Sequence, residues 1–382
     1  MIEDKRERRF LYFFITFFLV LLLSAGLALY SKETMSAARS SIHMCLDVVV
    51  PSLFPFLTVS SLFIELGLAS FVGSALNGAM HRLFGVSGAC APAFALGLIG
   101  GYPVGVKTAV SLYEKKLCTK EETERLLAFC NNSGPAFILG AVGAGVFASS
   151  ACGFLLYITH ALSAVTVGAV FRLFYGKISF RKIAEPRSEF YVRDFPQVFI
   201  ASVKSGFGAV LNISAFVIFF SVFIELLSVS YVLNFISGAL FFLFSPLGVS
   251  LSDCLRLSTG FFELTSGVMS LSASGAPLAS KLAMAAFMLG FAGVSVHFQA
   301  LSFMAGTGLK KTPYFAGKLL QGFLAALYTY FLSTLLSISV PASVSLTFAA
   351  GRLFKLKLLS VSLLALWVLI NLLNLHFQKR PR

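Results

Sequence analysis

The feature that most limits how this chain can fold is the stretch from Gly97 to Gly145, where two apolar segments are interrupted. The first contains GGYPVGVK at residues 100–107, and the second contains NNSGP at residues 131–135. Glycine and proline release backbone N–H and C=O groups from helical hydrogen bonding. In hydrocarbon these groups need partners, so such breaks occur inside protein or beside a water-filled cavity. Two neighbouring interrupted segments therefore predict the binding site of a membrane transporter.

The composition predicts a multi-pass membrane protein with little mass outside the bilayer. Only 12% of the residues are charged and 57% are hydrophobic, whereas a soluble domain has about 25% charged residues. The net charge is +14, but the basic residues occupy short loops, as the positive-inside rule requires. They predict contact with membrane lipids rather than with nucleic acid. The six cysteines form no C-x-x-C pair and the five histidines are scattered, so we expect no metal site and no cofactor.

The N-terminal segment predicts a transmembrane helix that is retained in the mature protein. Phe10 to Tyr30 is an unbroken apolar run of 21 residues, and it follows a basic cluster at residues 5–9. The run is long enough to cross about 30 Å of hydrocarbon. It also exceeds the apolar core of about 7–15 residues that is typical of a signal peptide. The basic cluster places the N-terminus in the cytoplasm.

The two halves of the chain share a pattern that indicates an internal duplication. Phe56–Leu66 and Phe216–Leu226 have six identities at one offset of 160 residues, and both contain FIEL. Further matches follow in order: Phe129 and Ser133 match Phe291 and Ser295 at an offset of 162. We therefore expect each half to contain a span, a re-entrant hairpin, a broken span and a second span. In the first half the span, the hairpin and the second span are predicted at about 36–68, 87–113 and 150–174, and the later spans are predicted at 313–338 and 358–376. Thr119 and Glu122 have the spacing of a capping box, which predicts the start of the broken span's helix.

This unit crosses the membrane an odd number of times, so the second copy is inverted relative to the first. The expected fold is an all-α polytopic membrane protein with about eight crossing helices and two hairpins. We divide the chain into an N-terminal transmembrane helix (1–35), a first repeat (36–175), a basic cytoplasmic loop (176–198), a second, inverted repeat (199–340), and a C-terminal transmembrane helix with a basic tail (341–382). Lys379, Arg380 and Arg382 place the C-terminus in the cytoplasm.

Polar residues cluster in four interrupted segments that we expect to converge near the middle of the membrane. The segment 291–299 carries Ser295, His297 and Gln299 spaced by two, and an unwound backbone would turn all three towards one cavity. The predicted substrate-binding residues are Tyr102, Lys107, Asn131, Asn132, Ser133, Glu263, Thr265, Ser266, Ser295, His297 and Gln299.

Each residue type suggests a role in binding a small anion. Lys107 would neutralise the anion, and the amides would donate and accept hydrogen bonds. Glu263 would bind a coupling cation, H⁺ or Na⁺, because an ionisable group at membrane depth is a functional candidate. Structural alternatives remain open: Lys107 would reach an interface, and Asn131 to Ser133 would satisfy the backbone released by Pro135. No nucleophile–base pair is visible, so we expect no enzyme.

Several segments resemble the YlbJ family of sporulation integral membrane proteins. They are VVPSLFPFLTVSSLF, GLIGGYPVGVKTAVSLYE, ERLLAFCNNSGPAFILGAVGAGVF and GFAGVSVHFQALSF, within about residues 36–340. That family belongs with the Gate, or nucleoside-recognition, domain proteins, which are similar in outline to concentrative nucleoside transporters. The resemblance implies two Gate-like repeats and import of dipicolinic acid, a planar dianion, across the outer forespore membrane.

Two other functions are compatible with the sequence. One is transport of a nucleoside-like or other small solute. The other is a non-transporting structural or assembly role in spore formation, in which the broken helices bind a partner. The oligomeric state is left open.

Overall fold

The computed structural model describes residues 2–66, 76–174 and 195–336, and every regular element in these residues is helical. Two predicted segments lie outside these described residues: most of the loop at 176–198 and all of the last span at 358–376.

The helices of the first half correspond closely to the predicted segments. In order they are α1 (Ile2–Leu29), α2 (Ser31–Met44), a π-helical segment (Cys45–Val49), α3 (Val50–Glu65), α4 (Leu76–Phe84), α5 (Ala91–Gly100), α6 (Val104–Glu114), α7 (Lys120–Leu127), a second π-helical segment (Ala136–Val146) and α8 (Ser150–Phe174). The start of α7 is set by a local sequence signal. The Thr119 hydroxyl accepts from the Glu122 N–H at 3.2 Å, and the Glu122 carboxylate accepts from the Thr119 N–H at 2.9 Å. This is the predicted capping box.

The second half repeats the order of the first. Its helices are α9 (Phe195–Val229), α10 (Val232–Phe244), α11 (Leu251–Phe262), α12 (Leu264–Ser270), α13 (Leu278–Phe291), α14 (Gly293–Met304) and α15 (Thr312–Leu335). A long helix (α3 or α9) is followed by a helical pair (α5–α6 or α11–α12), a broken helix (α7 with its π-helical continuation, or α13–α14) and another long helix (α8 or α15). Helix α3 packs along α9, and α15 packs along both α13 and α8. The inverted relation between the halves stays a prediction.

The described residues contain membrane-crossing segments of two kinds. Three helices are long and apolar enough to cross a membrane: Ser150–Leu173, Phe195–Val229 and the α13–α14 unit Leu278–Met304. Two bent pairs, with angles of 92° and 105° between their halves, raise the number to five if each is one span. Helix α15, predicted as a span at 313–338, is 24 residues long. It is not counted among these spans, because its buried polar side chains lower its mean hydropathy. The protein is an integral, multi-pass membrane protein.

Close backbone approach brings the α5–α6 pair against the break that follows α7. A Cβ atom on Gly97 or on Gly105 would overlap the carbonyl oxygen of Cys130. Between the two helices, Gly101 has φ +77°, a left-handed conformation that glycine adopts without steric cost. The lack of side chains at these positions lets the turn at residues 101–103 reach the non-helical backbone of residues 131–134.

The break between α13 and α14 involves fewer residues than the break in the first half. Ala292 and Gly293 have φ values of +86° and +78°, so two consecutive residues are left-handed and the helical hydrogen bonding stops. Gly293 lies against the carbonyl oxygen of Gly260 and the N–H of Leu264. The second break therefore packs against the junction of α11 and α12, as the first break packs against the junction of α5 and α6.

Candidate substrate site

The interrupted helices of both halves meet at one cavity. About 650 Å³ of space lies between its walls, and this figure includes solvent at the open mouth. The turn after α5, the break after α7, the α11–α12 junction and the start of α14 supply its polar lining. Its apolar wall comes from α3, the second π-helical segment and α9, with Leu53, Leu57, Phe137, Ile213 and Val217 among the lining residues.

Six of the eleven predicted ligands line this cavity: Tyr102, Ser133, Glu263, Thr265, Ser295 and Gln299. Ser133 and Ser295 are the pair that matches between the two halves at an offset of 162 residues. Both are buried, at 2% and 1% exposed. Ser133 lies within the first break, and Ser295 lies in the first turn after the second break. The residues that correspond in the sequence pattern therefore occupy corresponding places in the cavity wall.

Gln299 presents an unused acceptor at this cavity. Its Oε1 is buried and accepts no hydrogen bond from the described residues. A buried polar atom without a partner costs free energy, so this amide oxygen is suited to receive a hydrogen bond from a ligand.

Helix α14 is regular, and this corrects the expectation of an unwound stretch at 291–299. Successive residues on a helix are about 100° apart, so Ser295 and Gln299, four residues apart, share one face. His297 faces away from that side, and its Nδ1 lies 2.9 Å from the Tyr314 hydroxyl. The histidine is therefore packed in the protein and does not line the cavity.

Lys107 does not lie at the cavity, where it was predicted to neutralise an anionic solute. Its side chain is exposed, and it is not among the residues that line the cavity. The helical periodicity of α6 explains this position, because Gly105 and Val106 take the buried face of the helix. Asn131 and Asn132 are fully buried behind the cavity wall. Ser266 contributes its backbone N–H to Glu263, and its hydroxyl lies 3.2 Å from the Ser221 hydroxyl.

The Glu263 carboxylate caps the start of α12. Its two oxygens accept from the backbone N–H groups of Thr265, at 2.9 Å, and Ser266, at 2.6 Å. A carboxylate at a helix N-terminus is stabilised by these N–H groups and by the helix dipole. Glu263 is only 2% exposed and still lines the cavity, so the cap fixes the position of its carboxyl group in the cavity wall.

The sequence prediction missed a buried lysine beside the cavity, Lys318 on α15. Lys318 is 0% exposed. Its Nζ donates to the Tyr102 hydroxyl at 2.9 Å, to the Asn131 carbonyl oxygen at 2.9 Å and to Gln321 Oε1 at 2.8 Å. A single ionisable residue inside an apolar segment was the available signal, because such residues are rare at membrane depth and are usually functional.

The Lys318 contacts continue into a network that joins the two halves. Gln321 Nε2 donates to Asn132 Oδ1 at 2.7 Å, and Asn132 Nδ2 donates to the Phe129 carbonyl oxygen at 2.8 Å. The Tyr102 hydroxyl donates to the Leu289 carbonyl oxygen at 2.7 Å. These hydrogen bonds satisfy the buried polar groups of Asn132 and of the Asn131 backbone. They also hold the Lys318 ammonium beside Tyr102, which lines the cavity.

The described ranges contain no group of three or more His, Cys, Asp or Glu side chains that could hold a metal ion. The polar atoms at the cavity are hydroxyls, amides, backbone groups and one carboxylate, with one ammonium behind them. This set can hold a small polar molecule through several hydrogen bonds, while the apolar wall excludes water around it.

The sequence of this chain is similar to a known family model and to a bacterial membrane protein. Residues 46–171 match the Gate family model, described as nucleoside recognition. The sporulation integral membrane protein YlbJ of Bacillus subtilis (strain 168) is 31% identical over 332 residues, covering 82% of this chain and 80% of that protein.

Two solved structures of CNTnw, a concentrative nucleoside transporter, show a similar fold. An outward-facing state has a TM-score of 0.55 at 15% identity, and 84% of each chain is covered. An intermediate state has a TM-score of 0.53 at 14% identity, covering 81% of this chain and 86% of that one. At this identity the similarity concerns the fold alone, and it matches the arrangement of interrupted helices described above. On the sequence identity and its coverage, the chain belongs to the YlbJ family of sporulation integral membrane proteins.

Proposed function

We propose that this protein is a secondary transporter that moves a small anionic solute across a membrane. The observation that carries the proposal is a cavity formed where interrupted helices meet, with the Lys318 ammonium held directly behind its Tyr102 wall. Transporter sites typically lie at such breaks. Among the described residues, the hydrogen-bond partners of the Lys318 ammonium are all neutral oxygens. This arrangement favours an anion nearby, because opposite charges attract strongly where water is excluded.

Dipicolinic acid is the proposed substrate, and sporulation is the proposed setting. The name of the Bacillus subtilis relative supports a role in spore formation. A flat pyridine dicarboxylate would fit between the apolar wall and the polar groups of the cavity. The hydroxyls of Ser133, Thr265 and Ser295 would donate hydrogen bonds to its carboxylates, and Tyr102 would hold the Lys318 ammonium beside them. In this proposal the protein is not an enzyme, it lies in the outer forespore membrane, and both termini are cytoplasmic.

Transport of a nucleoside-like solute is a second candidate function. It is favoured by the description of the family model, nucleoside recognition, over residues 46–171. The free Gln299 Oε1 suits this candidate as well, because nucleobases carry N–H donors. The two candidates differ in charge, since a nucleoside is neutral and gains little from a neighbouring ammonium.

The test is uptake of radiolabelled dipicolinate into proteoliposomes that contain the purified protein. We expect saturable uptake that unlabelled dipicolinate inhibits and a mixture of nucleosides does not. Lys318→Met should abolish this uptake, because it removes the charge at nearly constant volume. Lys107→Met is the matched control and should transport normally, because its side chain is exposed.

Three outcomes would contradict the proposal. Inhibition by nucleosides alone would favour the second candidate. Equal uptake by both lysine variants would show that Lys318 is not part of the substrate site. A folded wild-type protein without uptake under imposed proton and sodium gradients would favour the structural or assembly role.

A further inference from the structure

The orientation of every amide around Lys318 follows from one acceptor, the Phe129 carbonyl oxygen. This oxygen can only accept, so Asn132 must present Nδ2 to it, at 2.8 Å, and Oδ1 to Gln321. Gln321 must then present Nε2 to Asn132 Oδ1, at 2.7 Å, which leaves its Oε1 directed at Lys318. The oxygen that faces the lysine is therefore determined by the network and not by an arbitrary choice of amide orientation.

All three partners of Lys318 are acceptors. The Asn131 carbonyl has no proton to give, and the Tyr102 hydroxyl already donates its proton to the Leu289 carbonyl oxygen. Lys318 Nζ therefore faces three acceptors, and this set matches the three N–H groups of a protonated ammonium. The geometry thus suits a cationic Lys318 whose donors are all used.

The three oxygens form a cage of neutral ligands at 2.8–2.9 Å from the nitrogen. One is a phenol oxygen, one is an amide oxygen, and one is a backbone carbonyl from the non-helical stretch 131–134. Carbonyl oxygens released at helix breaks are the groups with which secondary transporters coordinate coupling cations. In the part of the chain that the structure describes, the three hydrogen-bond partners of Lys318 Nζ are all neutral oxygens, so the cage is suited to a single positive charge.

We infer that the Lys318 ammonium is a tethered cation that occupies an oxygen cage suited to a sodium ion, so that this protein needs no coupling sodium at the first-half break. The consequence for transport rests on the proposed function, whereas the cage itself does not. A sodium ion could not share the cage, because the ammonium already uses its three oxygens and would repel a second cation. Removing the ammonium without filling its space should therefore create a sodium site.

The experiment compares two variants of the full-length protein in detergent, Lys318→Ala and Lys318→Met. The alanine variant leaves the cage vacant, whereas methionine fills the space with an apolar side chain. Thermal unfolding is measured in sodium chloride and in choline chloride at equal ionic strength. We expect sodium to raise the Tm of the alanine variant by about 2 °C or more, because a ligand that binds the native state stabilises it. The wild type and the methionine variant should show no difference between the salts.

A purely structural clamp predicts a different result, in which both variants lose stability and neither responds to sodium. That result, or a sodium-specific rise in Tm that is equal in the wild type and in the alanine variant, would overturn the inference. If the alanine variant does not fold, Lys318→Ser, which also leaves the cage open, is measured in the same two salts. A sodium-specific rise in the Tm of the serine variant supports the tethered cation, and its absence refutes it.

The failure of this inference is distinguishable from failure of the proposed function. A wild type that transports no dipicolinate would contradict the substrate, while a sodium response of Lys318→Ala alone would still support the cage. Conversely, dipicolinate uptake by the wild type without a sodium response of Lys318→Ala would support the substrate and contradict the cage.

Discussion

At the scale of single residues, helical geometry determines which polar side chains line the cavity and which pack inside the protein. On α14, Ser295 and Gln299 line the cavity, whereas His297 contacts the Tyr314 hydroxyl. Residues separated by two positions point in nearly opposite directions on a regular helix. A polar residue at membrane depth is therefore a ligand or a packing element according to its face, and neighbours in sequence differ in role.

Gln299→Leu should weaken solute binding without affecting folding. The substitution removes a buried Oε1 that accepts no hydrogen bond from the described residues, so the folded protein loses little while a bound ligand loses a partner. We expect the KM for uptake to rise by about tenfold, which corresponds to one hydrogen bond of ordinary strength. The matched control is Ser302→Ala on the same helix, whose hydroxyl donates to the Gln299 carbonyl oxygen at 2.7 Å. An unchanged KM in the leucine variant would exclude Gln299 from the binding site.

At the scale of elements, the site depends on how closely the α5–α6 pair approaches the break after α7. Gly97 and Gly105 face the Cys130 carbonyl oxygen from the two helices of this pair. The approach places Tyr102 where its hydroxyl can meet both Lys318 and the Leu289 carbonyl oxygen. The glycines thus act on the site through the distance between elements, although neither touches the lysine network.

Gly105→Ala should destabilise the protein, because its methyl group would overlap the Cys130 carbonyl group. Overpacking of this kind typically costs about 1–3 kcal/mol. We expect a lower Tm and a lower yield of folded protein in detergent. Gly208→Ala on α9 is the control, since a Cβ atom there meets nothing within 4 Å. Alanine also favours a helix over glycine by about 1 kcal/mol, so the control should be neutral or stabilising. Equal stability of the two variants would show that the close approach is not required.

At the scale of the whole molecule, the repeated order of elements is consistent with a duplication, and the network around Lys318 joins the two halves. Helix α15 of the second half binds both breaks of the first half through Tyr102 and Asn131. An inverted repeat would place two equivalent turns, the one between α6 and α7 and the one between α12 and α13, on opposite sides of the membrane. This orientation follows from the odd number of crossings expected in each half.

Single-cysteine labelling tests the predicted inversion. A membrane-impermeant maleimide should label Lys115→Cys, in the turn after α6, only after the membrane is opened, and it should label Ser272→Cys, in the turn after α12, in intact cells. All six native cysteines are buried, so the background should be low, and the unsubstituted protein measures it. Labelling of both positions from the same side would contradict the inverted topology and would leave the repeated order without its predicted orientation.

The amino-acid sequence was sufficient to predict most of the elements. Helix α8 and the capping box of α7 lie where they were predicted, as do the breaks at residues 101–103 and 131–135. Their causes are local: proline and glycine interrupt helical hydrogen bonding wherever they occur, and an apolar run of sufficient length must cross the membrane. For the same reason, six cavity-lining residues were found from the polar character of the interrupted segments.

The tertiary structure alone decided which charged and polar groups meet. The sequence favoured Lys107 as the charge at the cavity, but rotation of α6 about its axis exposes it, and α15 delivers Lys318 from more than 200 residues away in the chain. The sequence also favoured an unwound stretch around His297, whereas the break is confined to Ala292 and Gly293 and α14 continues regularly. The sequence by itself determined where the helices cross and break, because backbone hydrogen bonding and hydropathy act locally. Packing decided the composition of the site, because the contacts of a side chain depend on how its helix is rotated against helices distant in sequence.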